Sequence, residues 1–409
     1  VPMHCLRHHS YDHCERTVEH LLRSVQSRHH RCASNSNPQR RKRPRIGFFA
    51  MTTFRRATAR RRTMTSSRLE QMQVNLTLAY VINNAATNRF GHQIPHPTVR
   101  QVKEIIVDRL NGSKKTQNNR FEIVWGPAIV SDPNGFAANV TAVLQLAGTN
   151  EYSVVTSGTD FQSTLDLLGD FSYSSLEPFS AYVPNCPSDA RISAGTNGAL
   201  FNVLGKADSS EKKLADFLRT VQPSSVINVI GHSLGGALAS AIVLYLKNQS
   251  GLQTHTYHCQ TFAGPTAGND VFADYFNEQM RANAVRIFNS RDIVPMAWNA
   301  DSILNLKTVY SDANIPTPLD MKLKVDAVSF ATSPLKYTQW GTSDPSGPVT
   351  PVMQYKLDGK VNKDIGKTGT DDSKFQAQVG YQHIFEYITC LDMALTDIDI
   401  PGPGAGDAK

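Results

Sequence analysis

Ser233 stands between two glycines in the pentapeptide GHSLG at residues 231–235, a G-x-S-x-G pattern. A short β-branched run at residues 226–230 precedes it, and an apolar, Ala-rich stretch at residues 234–246 follows, so that a strand, a tight turn and a helix are predicted. That order is typical of a nucleophile elbow, whose turn is too tight for Cβ atoms beside the serine. The pattern predicts a nucleophilic Ser233 at the positive end of a helix, with the N–H of Leu234 free to bind an oxyanion.

A histidine and an acid are needed to make such a serine reactive. The imidazole removes the hydroxyl proton, and a carboxylate orients the imidazole. In folds with this elbow the chain order is serine, acid, histidine. The histidines after the serine are His255, His258 and His383. The first two fall in a predicted strand at residues 254–262 with no strand-end acid before them, so His383 is the predicted base.

The predicted acid is Asp292, which directly follows a predicted strand at residues 284–288. Sites of α/β sheets lie at the carboxyl ends of the strands, which is where this loop belongs. Asp270, Asp274 and Asp301 stay open as alternatives, although none follows a clear strand so directly. A plain turn role for Asp292 is the other interpretation.

Four blocks make the sequence resemble the class 3 lipases, the fungal-type triacylglycerol lipases of the α/β-hydrolase superfamily. The family's GHSLGG block is residues 231–236, and its T-F-G-x-P-x-x-G-N block is similar to TFAGPTAGN at residues 261–269. Its N-x-x-D-x-V-P block is intact at residues 289–295. The family histidine, commonly followed by a tyrosine four residues on, matches His383 and Tyr387.

The resemblance covers roughly residues 120–300 and resumes at His383. It implies an α/β-hydrolase fold, with a mostly parallel central sheet flanked by helices, and a second oxyanion donor. The family's R-G-T/S block reads SGT here, which gives the donor role to Thr159 beside the N–H of Leu234. The arginine of that block and the tryptophan often found soon after it are absent. The segment between Asp292 and His383 is long for the family, which implies a remodelled pocket.

The loop after this block carries apolar residues that look exposed. They are candidates for a lid or for the wall of an acyl-chain groove, and ordinary packing is an equally open alternative. The candidate substrate and lid residues are Phe161, Leu165, Leu168 and Phe171.

Hydrophobic patterns elsewhere predict the elements that position these residues. The predicted helices are residues 69–86, 97–110, 209–221, one from about residue 269, and 379–395. The other predicted strands are residues 121–130 and a hairpin of 140–146 with 152–156 at the antiparallel side of the sheet. Residues 299–375 give no clear pattern beyond a hairpin around 337–357.

Charge separates the first part of the chain from the rest. Residues 1–70 hold 16 Lys and Arg against 4 Asp and Glu, together with seven of the 13 histidines, and the remainder holds 26 against 31. We therefore expect a basic, His- and Arg-rich, disordered extension at residues 1–67, a hydrolase domain at 68–400 and a flexible tail at 401–409. The cysteines and histidines of the extension do not have zinc-finger spacing, so no metal site is expected.

The expected chemistry is acyl transfer through an acyl-enzyme on Ser233, with no cofactor. The expected partners are a lipid or other ester substrate and, transiently, a lipid interface; no specific nucleic-acid partner is expected and the oligomeric state stays open. Phospholipase, short-chain esterase and acyltransferase activities share the same triad and remain alternatives. A catalytically silent relative and a nucleic-acid-binding protein with a basic tail are more distant ones. The absence of a convincing signal peptide or of an 18-residue apolar run favours a cytoplasmic location.

Overall fold

The computed structural model describes residues 66–158, 173–341, 352–366 and 369–402. The chain divides into two units between Thr63 and Met64. The first unit lies outside the described residues, and so do the predicted extension up to residue 65 and the tail from residue 403. Ser66 and Ser67, which the sequence assigned to the extension, belong to the first described helix.

The strands of the described residues include those predicted between residues 121 and 156 and at residues 226–230, 254–262 and 284–288. They are β1 Phe121–Ser131, β2 Ala137–Leu146, β3 Glu151–Thr156, β4 Leu176–Pro178, β5 Arg191–Ser193, β6 Val226–His232, β7 Thr256–Phe262, β8 Ala284–Asn289 and β9 Met353–Leu357. The α-helices are α1 Ser66–Asn83, α2 Val99–Gly112, α3 Ala194–Gly205, α4 Leu214–Leu218, α5 Leu234–Asn248, α6 Asp270–Met280, α7 Leu319–Thr332, α8 Asp371–His383 and α9 Phe385–Cys390.

One seven-stranded sheet organises the fold, in the order β1-β2-β3-β6-β7-β8-β9. β1, β2 and β3 are joined antiparallel, which includes the expected hairpin, and every later neighbour from β3 to β9 is parallel. The run β6–α5–β7–α6–β8 supplies the helical crossovers that parallel strands require. This architecture confirms the predicted α/β-hydrolase fold with a mostly parallel sheet flanked by helices.

Helix α1 is enclosed over most of its length, since every residue from Met72 to Ile82 is buried. Its apolar side chains pack with strands and with the carboxyl-terminal helices in one of two cores that cover the sheet. Its buried polar side chains are satisfied by distant partners: Gln73 donates to the carbonyl of Leu391 at 2.7 Å, and Asn75 donates to Oε1 of Gln260 at 2.6 Å. A helix buried all round in this way can bridge separate parts of the fold.

Two local predictions differ from the structure. The helix expected at residues 209–221 is only the five-residue α4, while α3 at Ala194–Gly205 was not predicted. The sequence of α3, AGTNGALFNVLG, holds glycine and asparagine residues that disfavour helix. It is supported by its N-cap Ser193, whose side chain accepts from the N–H of Thr196, and by the buried Leu200 and Val203.

The long segment after β8 also departs from the expectation. A hairpin was expected around residues 337–357, but residues 342–351 lie outside the described residues, and the partner described for β9 is β8, with which it pairs in parallel. Helix α7 and short 3-10 turns lie before it and build a third core around Tyr310, Val325 and Phe375. The helix expected at residues 379–395 begins earlier as α8 and is interrupted at Ile384 before α9.

Candidate active site

Ser233 occupies a strained turn between β6 and α5. Its backbone has φ 58° and ψ −135°, a positive φ that is unusual for a residue with a side chain. A Cβ on Gly231 would overlap the carbonyl of Gly235, and a Cβ on Gly235 would lie 2.5 Å from the carbonyl of Thr156. The turn therefore requires glycine on both sides of the serine, and it holds the serine side chain at the carboxyl end of β6.

Three side chains that are far apart in sequence form one hydrogen-bonded chain. The Oγ of Ser233 lies 2.9 Å from Nε2 of His383, and Nδ1 of His383 lies 2.9 Å from Oδ2 of Asp292. All three residues are buried, with relative exposures of 3%, 1% and 0% in that order. Since Oδ2 of a carboxylate only accepts, Nδ1 carries the proton and Nε2 is left to accept from the serine hydroxyl.

Asp292 is held by further donors at both carboxylate oxygens. Its Oδ1 accepts from the N–H of Val294 at 3.0 Å, and its Oδ2 accepts from the hydroxyl of Tyr387 at 2.9 Å. The Tyr387 hydroxyl in turn accepts from the N–H of Asn289 at 3.0 Å. Burial, and then the nearby Asp292 charge, raise the pKa of Tyr387 well above its ordinary value, so the phenol stays a donor.

The backbone places His383 at the last residue of α8. At Ile384 the backbone leaves the helix (φ −117°, ψ −67°) and α9 begins at Phe385. The hydroxyl of Tyr80 donates to the carbonyl of Ile384 at 2.6 Å, so α1 holds this break. The imidazole is thus carried by the residue directly before an interruption that the sequence did not predict.

Leu234, the predicted first donor of an oxyanion site, lies at the start of α5. Leu234 is the first residue of that helix, and its N–H has no carbonyl one turn earlier with which to pair. Gly158 packs over it, because a Cβ on Gly158 would lie 3.1 Å from the nitrogen of Leu234 and 3.1 Å from the Cβ of Ser233. Thr159, the predicted second donor, lies just outside the described residues.

The remaining predicted residues divide into two groups. The candidate lid and substrate residues Phe161, Leu165, Leu168 and Phe171 lie outside the described residues. The second group is the residues considered as alternative acids and bases, which have other positions in the fold. Asp270 begins α6, with Lys336 3.9 Å away, Asp301 is exposed, and His255 and His258 lie just before and within β7.

A second histidine, His232, lies immediately behind the serine. Its Nδ1 is 2.9 Å from Nδ2 of Asn83, its Nε2 is 2.9 Å from the carbonyl of His383, and its ring lies edge-on to Tyr80. Burial, with His383 nearby, lowers the pKa of His232 well below its ordinary value. Sequence reasoning noted His232 only as a motif residue and missed Asn83, which lies in no motif.

A buried arginine, Arg286, contacts the loop that follows Asp292. The Nη2 of Arg286 donates to the carbonyl of Pro295 at 3.2 Å, and its guanidinium lies 4.3 Å from the ring centre of Phe288. Burial lowers the pKa of Arg286 to about 10, while Tyr387 and Asp292 act in the opposite direction. A positively charged group is therefore buried close to Asp292 and Tyr387.

Two other features were sought in the part of the chain that the structure describes, a metal site and a membrane-spanning helix. No group of three or more His, Cys, Asp or Glu side chains there is placed to hold a metal ion. No helix within these residues combines the length and the hydropathy needed to cross a bilayer.

The fold and the site together define an α/β-hydrolase with a serine, a histidine and an aspartate joined at the carboxyl end of its parallel strands. Residues 153–301 match the family described as Lipase (class 3). Over those residues the chain is similar to this family, and it is also similar to a lipase of known structure and to fungal lipases.

Among solved structures, M37 lipase is similar over 83% of this chain and 98% of its own, with a TM-score of 0.67 and 28% identity. Secreted mono- and diacylglycerol lipase MDL4 of Malassezia globosa is 30% identical over 145 residues, 35% of this chain and 45% of that protein. Secreted mono- and diacylglycerol lipase 1 of Fusarium solani is 36% identical over 107 residues, 26% of this chain and 31% of that protein. The chain thus matches less than half the length of these curated relatives.

Proposed function

We propose that the chain hydrolyses carboxylic esters of lipids through an acyl-enzyme formed on Ser233. The observation that carries this proposal is the buried hydrogen-bonded chain from the hydroxyl of Ser233 through the ring of His383 to the carboxylate of Asp292. Its geometry suits proton transfer from serine to imidazole, and a serine with this arrangement attacks acyl groups.

In the proposed reaction, Nε2 of His383 takes the proton of Ser233 as Oγ attacks the ester carbonyl. The negative charge that forms on the carbonyl oxygen is stabilised by the N–H of Leu234, at the positive end of α5. His383 then gives its proton to the departing alcohol, and a water molecule, activated by the same ring, releases the fatty acid. Asp292 keeps the ring oriented and stabilises its charged form throughout.

Two parts of the proposal rest on the sequence. Thr159 is proposed as the second oxyanion donor, because it follows Gly158 in the block that resembles the family's. The division into an extension at residues 1–67, a hydrolase domain at 68–400 and a tail at 401–409 likewise remains a proposal.

Acylglycerols are the proposed substrate class. Support comes from the relatives in Malassezia globosa and Fusarium solani, which are named mono- and diacylglycerol lipases. Turnover of monoolein, diolein and triolein, each as an emulsion, would separate partial from full acylglycerols. Release of fatty acid from none of the three, with turnover of a short-chain ester, would favour the short-chain esterase instead.

The first experiment is hydrolysis of p-nitrophenyl butyrate and p-nitrophenyl palmitate by the full chain and its Ser233→Ala variant. A matched control is Ser240→Ala, since Ser240 is also buried but its hydroxyl donates to the carbonyl of Ala237 within α5. We expect Ser233→Ala to lose hydrolysis and Ser240→Ala to retain it. Equal rates in all three proteins would contradict the nucleophile assignment.

The alternatives give different results in the same preparation. A fluorophosphonate probe labels an active serine but not a catalytically silent relative. An added alcohol acceptor would yield a new ester if the chain is an acyltransferase, and phosphatidylcholine would yield a lysolipid if it is a phospholipase. Salt-dependent DNA retention that is lost on deletion of residues 1–67 would favour a nucleic-acid role.

Location is a separate proposal. The sequence favours a cytoplasmic protein, whereas the two fungal relatives are named as secreted. Fractionation of the source cells into cytosol and medium, followed by detection of the chain, distinguishes these two locations.

A further inference from the structure

Asn83, the last residue of α1, is hydrogen-bonded to Gly158 and to His232, two residues that lie next to the proposed nucleophile. Its Oδ1 accepts from the N–H of Gly158 at 2.9 Å, and its Nδ2 lies 2.9 Å from Nδ1 of His232. The Nε2 of His232 then lies 2.9 Å from the carbonyl of His383. One continuous set of hydrogen bonds therefore links the backbone of Gly158 to the backbone of His383, the proposed base.

The direction of each hydrogen bond in this set follows from its ends. The carbonyl of His383 only accepts, so Nε2 of His232 carries a proton and donates it. Burial and the neighbouring His383 lower the pKa of His232 well below its ordinary value, so the ring is neutral and its Nδ1 accepts. Asn83 must then donate through Nδ2, which turns its Oδ1 towards the N–H of Gly158. Each partner is satisfied in one arrangement only.

Gly158 is placed where a small shift would matter. A Cβ on it would lie 3.0 Å from the carbonyl of His232, as well as 3.1 Å from the nitrogen of Leu234 and from the Cβ of Ser233. The Gly158 backbone therefore lies against the turn that holds the nucleophile and the first oxyanion donor. Displacement of reacting groups by about 1 Å can cost about 10²-fold in rate.

We infer that Asn83 is a positioning residue for catalysis: it holds the backbone of Gly158 and, through His232, the backbone of His383 in position around Ser233. This inference rests on the proposed function, since it concerns the reaction proposed for Ser233. Asn83 does not touch the reacting atoms. It acts by fixing the two groups on either side of them.

The test compares Asn83→Ala and Asn83→Asp with Asn84→Ala in the full chain. Asn84 is a matched control, because it is the next residue and its Nδ2 donates to the carbonyl of Tyr80 at 2.9 Å, away from Ser233 and Gly158. The substrate is p-nitrophenyl butyrate. The second measurement is the inhibition constant of butylboronic acid, which adds to a serine and leaves a tetrahedral anion that resembles the transition state.

We expect Asn83→Ala to lower kcat by about 10- to 100-fold with KM close to the wild-type value. Its boronic acid inhibition constant should rise in parallel with the fall in kcat/KM. Asn83→Asp keeps the acceptor for Gly158 but loses the donor to His232, so its kcat should fall less. Asn84→Ala should retain the wild-type kcat.

The outcomes that overturn the inference are distinct from failure of the proposed function. If Asn83→Ala lowers only the thermal midpoint, with kcat and boronic acid binding equal to those of Asn84→Ala, the residue is merely structural. If Asn83→Ala cannot be recovered folded, wild-type kcat in Asn83→Asp overturns the inference. A wild-type chain that hydrolyses no ester and binds no fluorophosphonate overturns the proposed function first, and the inference with it.

Discussion

The hydroxyl of Tyr387 donates to Oδ2 of Asp292 at 2.9 Å, and the same oxygen lies 2.9 Å from Nδ1 of His383. The tyrosine and the histidine thus share one acceptor at the centre of the site. Because a hydroxyl can serve as donor and acceptor at once, Tyr387 also ties the N–H of Asn289, at the end of β8, to this acceptor. A residue of α9 therefore connects Asp292, the proposed acid, to the sheet.

Tyr387→Phe removes this link and leaves the buried N–H of Asn289 without its partner. An unmade hydrogen bond of this kind costs about 1–3 kcal/mol, so we expect a lower free energy of unfolding and a kcat lower by about tenfold. Urea unfolding and ester hydrolysis measure the two effects. The control is Tyr337→Phe, which removes a buried hydroxyl donor to the carbonyl of Tyr173 and should lower stability alone. An unchanged kcat in Tyr387→Phe would contradict a role for this hydroxyl in the site.

Asp292→Asn preserves the shape of the proposed acid but not its charge. The amide no longer holds His383 in the tautomer that accepts from Ser233, so we expect kcat to fall by about 10⁴-fold. Measured rates with p-nitrophenyl butyrate test this. Asp301→Asn serves as the control because Asp301 is an exposed candidate acid; if it proved the damaging substitution, the assignment of the acid would be wrong.

Gly158→Ala should crowd the turn that holds Ser233, the proposed nucleophile. The new methyl group would lie 3.0–3.1 Å from three atoms of residues 232–234, so we expect kcat to fall while the fold persists. Gly198→Ala is the opposite case, since Gly198 is exposed within α3 and its added Cβ meets nothing within 4 Å. That control should keep kcat and raise the free energy of unfolding by about 0.5–1 kcal/mol. Equal kcat in both variants would argue against close packing at Gly158.

Stability should fall in mild acid in part through His232. Its folded-state pKa lies well below 6.5, so the unfolded chain binds the proton more readily than the folded chain. The contribution is therefore fully present above about pH 6.5 and is lost as the pH falls towards the folded-state pKa. We expect the thermal midpoint to fall between pH 7 and pH 5, and to fall less in His232→Gln, whose amide can still donate to the carbonyl of His383. Parallel curves for the two proteins would contradict this.

The sequence was most informative about the candidate site where that site depends on local pattern. The elbow around Ser233 follows from the tightness of one turn, and Asp292 from its position directly after β8. Chain order alone then indicated His383, and the structure brings these three residues together. The fold class followed from the same alternation of strands and helices, since parallel strands need helical crossovers.

What sequence reasoning missed depends on contacts between distant segments. Asn83 meets Gly158 across 75 positions and His232 across 149, and no spacing rule connects them. The five-residue β9 is too short to show which strand it will pair with, so a hairpin was expected where a parallel partner of β8 exists. Helix α3 was missed because its composition disfavours helix and its support comes from burial.

The enclosure of α1 determines when, during synthesis of the chain, this helix can complete its packing. This helix leaves the ribosome before the rest of the described chain, yet Gln73 donates a hydrogen bond to Leu391, 318 residues later. Until α9 and the residues after it have been synthesised, the buried faces of α1 lack part of their covering, which is the condition in which chains aggregate or bind chaperones. The same helix ends in Asn83 and carries Tyr80, so the surroundings of Ser233 are completed only when the first and last described helices meet. We therefore expect the candidate site to be assembled late in biosynthesis.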